Sequence, residues 1–146
     1  IVIRNFNTFG ENQDISGNAG VVSAYILRAL KNESLVIHDS GEQTRDFQYV
    51  KDAVRAYSLV ITKDKRFAGG VFNIGTNKQT SIKTLAETIK KLTGSKSEII
   101  FERGRAADLM SLDADYTLIN QKTGWKPEYS LEEGLKRTIA WYKEFI

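Results

Sequence analysis

Two arginines in glycine-containing loops are the side chains whose setting most clearly points to chemistry. Arg45 ends a turn that begins at Gly41 and directly precedes an apolar segment, and Arg105 stands among small residues in the loop 103–108. A guanidinium that is held in place offers five N–H donors in a planar fork, which suits a phosphate or a carboxylate. If the fold brings the two loops together, they could clamp a diphosphate through bidentate contacts. The alternative for Arg45 is an ion pair with Asp46 or with another loop carboxylate.

Two further polar residues lie at or shortly after the ends of predicted strands. Asn7 lies just past the segment Ile1–Ile3, and ligands of open α/β sheets bind at the carboxyl ends of the strands. A turn-forming asparagine is the alternative interpretation. His38 ends the apolar segment Leu35–Ile37 and could act in acid–base chemistry or lie against a flat ring. A lone histidine at a strand end is more often a surface or hydrogen-bonded residue.

Hydrophobic periodicity predicts that strands and helices alternate along the chain. Strands are predicted at 1–3, 35–38, 47–50, 71–75 and 98–102, and helices at 19–31, 52–62, 82–93, 113–123 and 131–146. This alternation indicates an α/β or α+β protein. The β-branched segment Ile1–Ile3 is predicted to be a strand that is buried on both faces.

The helix ends also carry signals. Asp52 is a plausible N-cap for the second helix, whose inner face is predicted from Ala53, Val54, Tyr57 and Ile61. The third helix is predicted to start after Ser81 and to stop at Gly94. In the last helix, Ser130 and Glu133 have the spacing of a capping box.

Composition excludes several classes of protein. The chain has 146 residues, 41% of them hydrophobic and 27% charged, which is typical of a globular domain. Its net charge of +3 arises from lysines and arginines that are spread among acidic residues, so no nucleic-acid partner is expected. The absence of cysteine and the single histidine argue against a disulfide framework or a metal site. No apolar run approaches the roughly 20 residues of a membrane span and no signal peptide is visible, so we expect a cytoplasmic protein without a membrane partner.

The chain contains no recognisable catalytic motif. No Gly-x-Gly-x-x-Gly follows a strand, and no Walker-type loop is present. None of the six tyrosines is followed four residues later by a lysine, so the acid–base pair Tyr-x-x-x-Lys is missing. No catalytic residue is therefore predicted. Because the segment Ile1–Ile3 would need neighbours on both sides, we expect a fragment whose N-terminal part is missing.

Five short segments, in order, carry a resemblance to a known family. The chain resembles the C-terminal portion of the NAD-dependent nucleotide-sugar epimerases and dehydratases, the extended short-chain dehydrogenase family. The carriers are RNFNTFG at 4–10, GEQTRDFQYV at 41–50, NIGT at 73–76, GWKP at 124–127 and LEEGL at 131–135. The implied fold is α/β, with the last strands of a Rossmann-type parallel sheet and a smaller α+β substrate-binding domain. Residues 1–10 and 46–76 would contribute edge strands and a helix to the incomplete Rossmann domain.

The resemblance also implies roles for individual residues in binding a nucleotide-sugar. Asn7 matches an asparagine that contacts the sugar-diphosphate, and Arg45 and Arg105 match the two diphosphate arginines. Asp108 looks like an acidic residue near the nucleotide ribose. His38 stands where the family often has an aromatic ring against the base.

The cofactor that the resemblance implies is NAD. It would be bound mainly by the missing N-terminal part, with Phe6 where the family's backbone approaches the nicotinamide. The intact protein would be a homodimer that acts on a UDP-sugar or another nucleotide-sugar, most closely a UDP-glucose 4-epimerase-like enzyme. The alternatives are a UDP-glucuronate decarboxylase-like enzyme, a dTDP-glucose 4,6-dehydratase-like enzyme and a non-catalytic nucleotide-sugar-binding protein. The present chain alone is expected to be inactive.

Overall fold

The computed structural model describes residues 1–16, 20–61, 67–103 and 110–146. Arg105 and Asp108 lie outside these described residues. The strands are β1 (Val2–Asn5), β2 (Thr8–Phe9), β3 (Leu35–His38), β4 (Thr44–Arg45), β5 (Gln48–Tyr49), β6 (Val71–Ile74), β7 (Thr80–Ser81) and β8 (Ile99–Glu102). The helices are α1 (Val21–Leu30), α2 (Val50–Val60), α3 (Ile82–Thr93), α4 (Thr117–Thr123) and α5 (Leu131–Tyr142). The predicted α/β class is confirmed.

The strands form short pairs whose direction is mostly parallel. The pairs β1–β6, β2–β5 and β3–β8 are parallel, whereas β4–β7 is antiparallel. Parallel pairing requires a long crossover connection, and helices supply it here, as in a Rossmann-type sheet. Among the described helices, none has the length and apolar character needed to cross a membrane.

Two apolar clusters hold these elements together. The larger one joins α1, α3 and α5 with β2, β3 and β5, and residues such as Ile26, Leu85 and Leu135 are fully buried in it. The smaller one joins α2 and β6 with the segment around α4, through Ala56, Ile74 and others. The two short strands β4 and β7 pair with each other. β4 is followed by β5, and β7 leads directly into α3.

Both predicted ends of α3 and the predicted start of α5 are confirmed, whereas α5 ends at Tyr142 and not at residue 146. The Ser81 hydroxyl accepts from the backbone N–H of Thr84, and Gly94 ends α3 in the left-handed conformation at φ 67°. In α5 the hydroxyl of Ser130 accepts from the N–H of Glu133, whose carboxylate accepts in return from the Ser130 N–H. These bonds satisfy backbone donors that have no partner inside the helix.

Two predictions about packing were wrong. β1 pairs only with β6 within the described residues, and Ile1 and Val2 are 54% and 52% exposed, so the strand is not buried on both faces. On α2, Val54 and Ile61 are 57% and 71% exposed, and the inner face consists of Ala53, Ala56 and Val60. This face packs in the cluster that contains Phe72 and Ile74 of β6, and the larger Val54 and Ile61 point outward.

Asp52 is not the N-cap of α2, which begins at Val50 after Tyr49. Its carboxylate is fully buried in the first turn, where it accepts from the Arg55 guanidinium at 2.7 Å. It also accepts from the backbone N–H groups of Glu128 and Tyr129 at 3.0 and 3.1 Å. Asp52 therefore ties α2 to the segment that leads into α5.

Alkaline pH should destabilise the fold through buried tyrosine hydroxyls. The Tyr25 hydroxyl donates to the Val36 carbonyl at 2.8 Å, and burial raises the pKa of Tyr25 to about 12. Unfolded tyrosine loses its proton near pH 10, so between pH 10 and 12 the folded state holds more protons and stability falls as pH rises. The free energy of unfolding of the Tyr25→Phe variant should fall less steeply with pH over this range. The difference in slope should correspond to at most one bound proton.

Urea unfolding of both proteins at pH 8, 10, 11 and 12 would measure this difference. The measurement at pH 8 serves as the internal control, because Tyr25 is protonated in both states there. If the free energy of unfolding fell equally steeply with pH in the wild type and in Tyr25→Phe above pH 10, the assignment to Tyr25 would be contradicted.

Candidate functional site

The candidate site begins where the parallel strands β1 and β6 end. Beyond β1, the Phe6 N–H donates to the Ile74 carbonyl at 3.2 Å, which extends the pairing by one residue. Asn7 then adopts φ 32°, a left-handed conformation that is uncommon for a residue other than glycine. Its side-chain amide donates to the carbonyl of Asp46 at 3.2 Å. Strain of this kind is frequent at binding sites, and here it places Asn7 beside the segment that carries Arg45.

Asp46 organises the site, although it was predicted only as a possible ion-pair partner of Arg45. Its carboxylate is fully buried and accepts from the backbone N–H groups of Thr76, Asn77 and Ala114 at 2.8–3.1 Å. The Thr76 hydroxyl adds a bond of 2.5 Å. These donors supply the roughly four hydrogen bonds that a carboxylate can accept. One side chain thus joins three segments that are distant in the sequence.

Gly75 is required by this arrangement. A Cβ atom at position 75 would lie 2.4 Å from the Ala114 Cβ and 2.8 Å from an Asp46 carboxylate oxygen. Both distances are too short for any side chain. The glycine lets the loop after β6 come close enough for the next two N–H groups to reach Asp46.

Arg45 lies in β4, opposite Thr80 of β7. It is half-buried, and its guanidinium donates to the neighbouring carbonyl of Thr44 at 2.8 Å. The adjacent Thr44 hydroxyl donates to the Gln79 amide oxygen at 2.9 Å, and the Gln79 amide donates to Asp113 at 3.0 Å. These hydrogen bonds link β4 to the segment that precedes α4.

His38 is exposed at the end of β3, where it lies opposite Glu102 of β8. The turn that links it to β4 is fixed from inside, because the Gln43 amide donates to the His38 carbonyl at 3.0 Å. The first N–H groups of α3 also donate to this turn, from Ile82 to the Gln43 carbonyl and from Lys83 to the Gly41 carbonyl. A helix terminus normally lacks partners for these donors, so turn and helix stabilise each other.

Both described flanks of the segment 104–109 lie against the same turn. On one side, the Asp39 N–H donates to the Glu102 carbonyl at 2.7 Å. On the other, the Thr44 N–H donates to the Met110 carbonyl at 2.8 Å. The flanks therefore meet the chain next to His38 and next to Arg45. The structure brings Asn7, His38 and Arg45 to segments that are hydrogen-bonded to one another or joined by one short turn.

A groove of about 300 Å³ lies between residues 76–80 and residues 127–133, with Phe47 in its wall. Phe6, Asn7, His38 and Arg45 are not among its lining residues. Thr76, which is bonded to Asp46, and Thr80, which lies opposite Arg45, do line it, so the groove borders the candidate site.

The residues that sequence reasoning missed are Asp46, Gln79 and Asp113. Their partners lie 30 to 68 residues away, so no local spacing reveals them. A signal was present in one case only, because Asp46 directly follows the arginine and precedes an apolar strand.

Several known proteins are similar to the chain in both sequence and fold. The model of the NAD dependent epimerase/dehydratase family matches residues 1–75. A "Putative UDP-glucose 4-epimerase" of Methanocaldococcus jannaschii is 38% identical over 142 residues, which are 97% of this chain and 45% of that protein. The UDP-glucuronic acid decarboxylase 1 of Xenopus tropicalis is 39% identical over 143 residues, or 98% of this chain and 33% of that protein.

A crystal structure of UDP-glucose 4-epimerase from Thermotoga maritima with UDP-glucose superposes with a TM-score of 0.91 at 39% identity. The superposition covers 99% of this chain and 46% of that one. The chain thus spans between a third and a half of the length of the relatives it matches. The family model covers just over half of the chain, and the segments it matches include β1, Asn7, Arg45 and the loop entered at Gly75. The chain belongs to the NAD-dependent epimerase/dehydratase family.

Proposed function

We propose that this chain is the nucleotide-sugar-binding part of an NAD-dependent sugar-nucleotide enzyme, most closely a UDP-glucose 4-epimerase-like one. The observation that carries the proposal is that Asn7 and Arg45 lie on either side of the buried Asp46, and that one short turn joins His38 to Arg45. Two of the three side chains are exposed and the third is half-buried, so a ligand can reach them. Amide, imidazole and guanidinium groups together suit a ligand with a flat base and a diphosphate.

In this proposal different residues contact different parts of the ligand. Arg45 and Arg105 hold the diphosphate, Asn7 contacts it near the sugar, His38 lies against the base, and Asp108 binds near the ribose. The flanks of 104–109 support the pairing of the two arginines, because they are bonded beside His38 and Arg45. Binding energy at this end of the ligand would position the sugar for reaction.

The chemistry would come from the intact protein. NAD would take a hydride from a sugar hydroxyl and return it after the keto sugar has rearranged. This chain would provide only the Phe6 segment next to the nicotinamide. The position of Phe6 is suitable, because it is partly exposed at the carboxyl ends of β1 and β6.

We also propose that residues 1–10 and 46–76 complete a larger Rossmann-type sheet. Ile1, Val2 and Val71 are exposed on the β1–β6 pair. Beside them is an apolar recess of about 210 Å³, which is lined by Ile1, Ile3, Tyr57, Val60 and Ile61. An unpaired strand edge next to exposed apolar side chains favours a further strand and helix of the same protein. The intact protein would be a homodimer.

A UDP-glucuronate decarboxylase-like enzyme is the second candidate. It is favoured by the segment Phe47-Gln48-Tyr49-Val50 and by 39% identity to the Xenopus tropicalis decarboxylase. A dTDP-glucose 4,6-dehydratase-like enzyme is the third candidate. The human dTDP-D-glucose 4,6-dehydratase is 34% identical to this chain over 150 residues. A non-catalytic nucleotide-sugar-binding protein would use the same site without the redox step. Product analysis by NMR with UDP-glucose, UDP-glucuronate and dTDP-glucose would separate these candidates, with the longest natural form of the protein as the enzyme.

Calorimetry on the folded 146-residue chain tests the proposed binding. UDP should bind, and UMP should bind at least about tenfold more weakly because it lacks the second phosphate for the arginine pair. NAD should bind much more weakly than UDP. Equal affinity for UMP and UDP, or no binding of UDP, would contradict the proposed site. Conversion of UDP-glucose by the chain alone would contradict the expectation that it is inactive.

A further inference from the structure

Three polar atoms of the β2–β5 pair, next to Asn7, are buried without a hydrogen-bond partner among the described residues. Gln48 is fully buried, and neither its amide nitrogen nor its amide oxygen has a partner in the part of the chain that the structure describes. The hydroxyl of Thr8 is buried and lacks a partner in the same way. Each such atom costs about 1–3 kcal/mol when it stays unpaired. A methionine of similar volume at position 48 would avoid that cost.

The three atoms belong to residues that face each other. Thr8 and Gln48 are opposite residues of the parallel β2–β5 pair, as are Phe9 and Tyr49. Because side chains alternate along a strand, the two pairs lie on opposite sides. Phe9 and Tyr49 pack on Gly134 of α5, where a Cβ atom would come within 2.9 and 3.0 Å of their rings. Thr8 and Gln48 therefore share the other side of the pair.

This position is adjacent to Asn7. Thr8 follows Asn7 in the chain, and the backbone N–H of Gln48 reaches the Asn7 carbonyl at 3.4 Å, a long hydrogen bond. Asn7 itself is in a left-handed conformation that other contacts must hold in place. A polar link between Thr8 and Gln48 would fix the strand pair immediately after that strained residue.

We propose that one buried water molecule bridges the Gln48 amide and the Thr8 hydroxyl, and that Gln48 is thereby a positioning residue for Asn7. The amide nitrogen, the amide oxygen and the hydroxyl would give this water three polar partners. A buried water usually has two to four. The water satisfies all three atoms and clamps β2 to β5 next to Asn7. The part of the inference that concerns ligand binding rests on the proposed function. The water itself does not.

Stability measurements on two substitutions and their combination test the bridge. Gln48→Met removes the water's two main partners and leaves the Thr8 hydroxyl unpaired, so the unfolding equilibrium should shift about tenfold toward the unfolded state. Adding Thr8→Val should recover most of that shift, because no polar atom then remains. Gln121→Met, on the exposed side of α4, is the matched control and should change little.

Two outcomes of this cycle would overturn the proposal. A Gln48→Met protein that is more stable than the wild type would show that the amide is truly unpaired. A destabilised Gln48→Met protein that Thr8→Val does not rescue would show that Gln48 bonds to another group. A crystal structure of the wild-type chain at about 1.8 Å gives an independent test. Density for one water within about 3.2 Å of the three atoms is expected, and an amide bonded only to protein atoms would refute the bridge.

The positioning role has its own readout. At a temperature where both proteins are folded, Gln48→Met should weaken UDP binding by about 2- to 30-fold relative to the wild type. Unchanged affinity would remove the link to Asn7 and leave only a structural water. If the wild-type chain does not bind UDP, the proposed function fails, whereas the crystal structure and the stability cycle still decide the bridge.

Discussion

Replacing Asp46 with alanine is expected to lower the free energy of unfolding by about 3 to 5 kcal/mol. The substitution leaves the buried N–H groups of Thr76, Asn77 and Ala114 without an acceptor. It also releases the loop after β6 from the segment before α4. Urea denaturation of the variant and the wild type at pH 7 would measure the difference.

A second substitution separates shape from hydrogen bonding at this position. Asp46→Asn keeps one carbonyl oxygen but turns an NH₂ group toward backbone donors, so it should also destabilise the protein, although less than alanine. Asp115→Ala is a suitable control, because that exposed carboxylate accepts from the nearby N–H of Thr117, two residues along the chain, and should matter little. If Asp46→Ala cost less than about 1 kcal/mol, the carboxylate would not be the link between the three segments.

The second large effect is expected on ligand binding. Arg45→Lys should reduce the affinity for UDP about 20-fold or more, because a lysine cannot reproduce two parallel N–H contacts to a phosphate. The stability of the fold should change little. Arg45 is half-buried, and its guanidinium bonds to the carbonyl of the residue before it. Calorimetry with UDP and urea denaturation would show whether the two effects separate in this way.

Arg28→Lys provides the matched control for Arg45. The Arg28 guanidinium also donates to a backbone carbonyl, that of Ser34 at 3.1 Å, but it lies on α1 away from the candidate site. Its substitution should leave UDP affinity unchanged. If Arg45→Lys bound UDP as tightly as the Arg28 variant, Arg45 would have a structural role and the proposed diphosphate contact would be wrong.

Local signals in the sequence were sufficient for both ends of α3, for the start of α5 and for most of the strands. Ser81, Gly94 and the Ser130–Glu133 pair act within three or four residues, so their spacing alone determines what they do. The inner face of α2 was predicted only in part, because Ala53 is buried as expected whereas Val54 and Ile61 are exposed. In the structure Ala53 and Ala56 face β6, and the larger Val54 and Ile61 face outward.

The candidate site was predictable in its residue types but not in its assembly. Asn7, His38 and Arg45 stand at strand ends, which is visible in the sequence. Whether they meet depends on Asp46, which reaches Thr76 and Ala114 at separations of 30 and 68 residues. No periodicity encodes contacts at that distance, because they follow from the packing of whole elements.

The same separations have a consequence for the order of folding. Closing a chain segment costs entropy that grows with its length, so the bonds from Asp46 to Thr76 and Ala114 should form after the local helices. If they form after the transition state, Asp46→Ala will mainly accelerate unfolding and leave the folding rate almost unchanged. A chain that is still being synthesised cannot complete the Asp46 cluster until residue 114 is available. Competence to bind the nucleotide would then be acquired late, after most of the chain has been made.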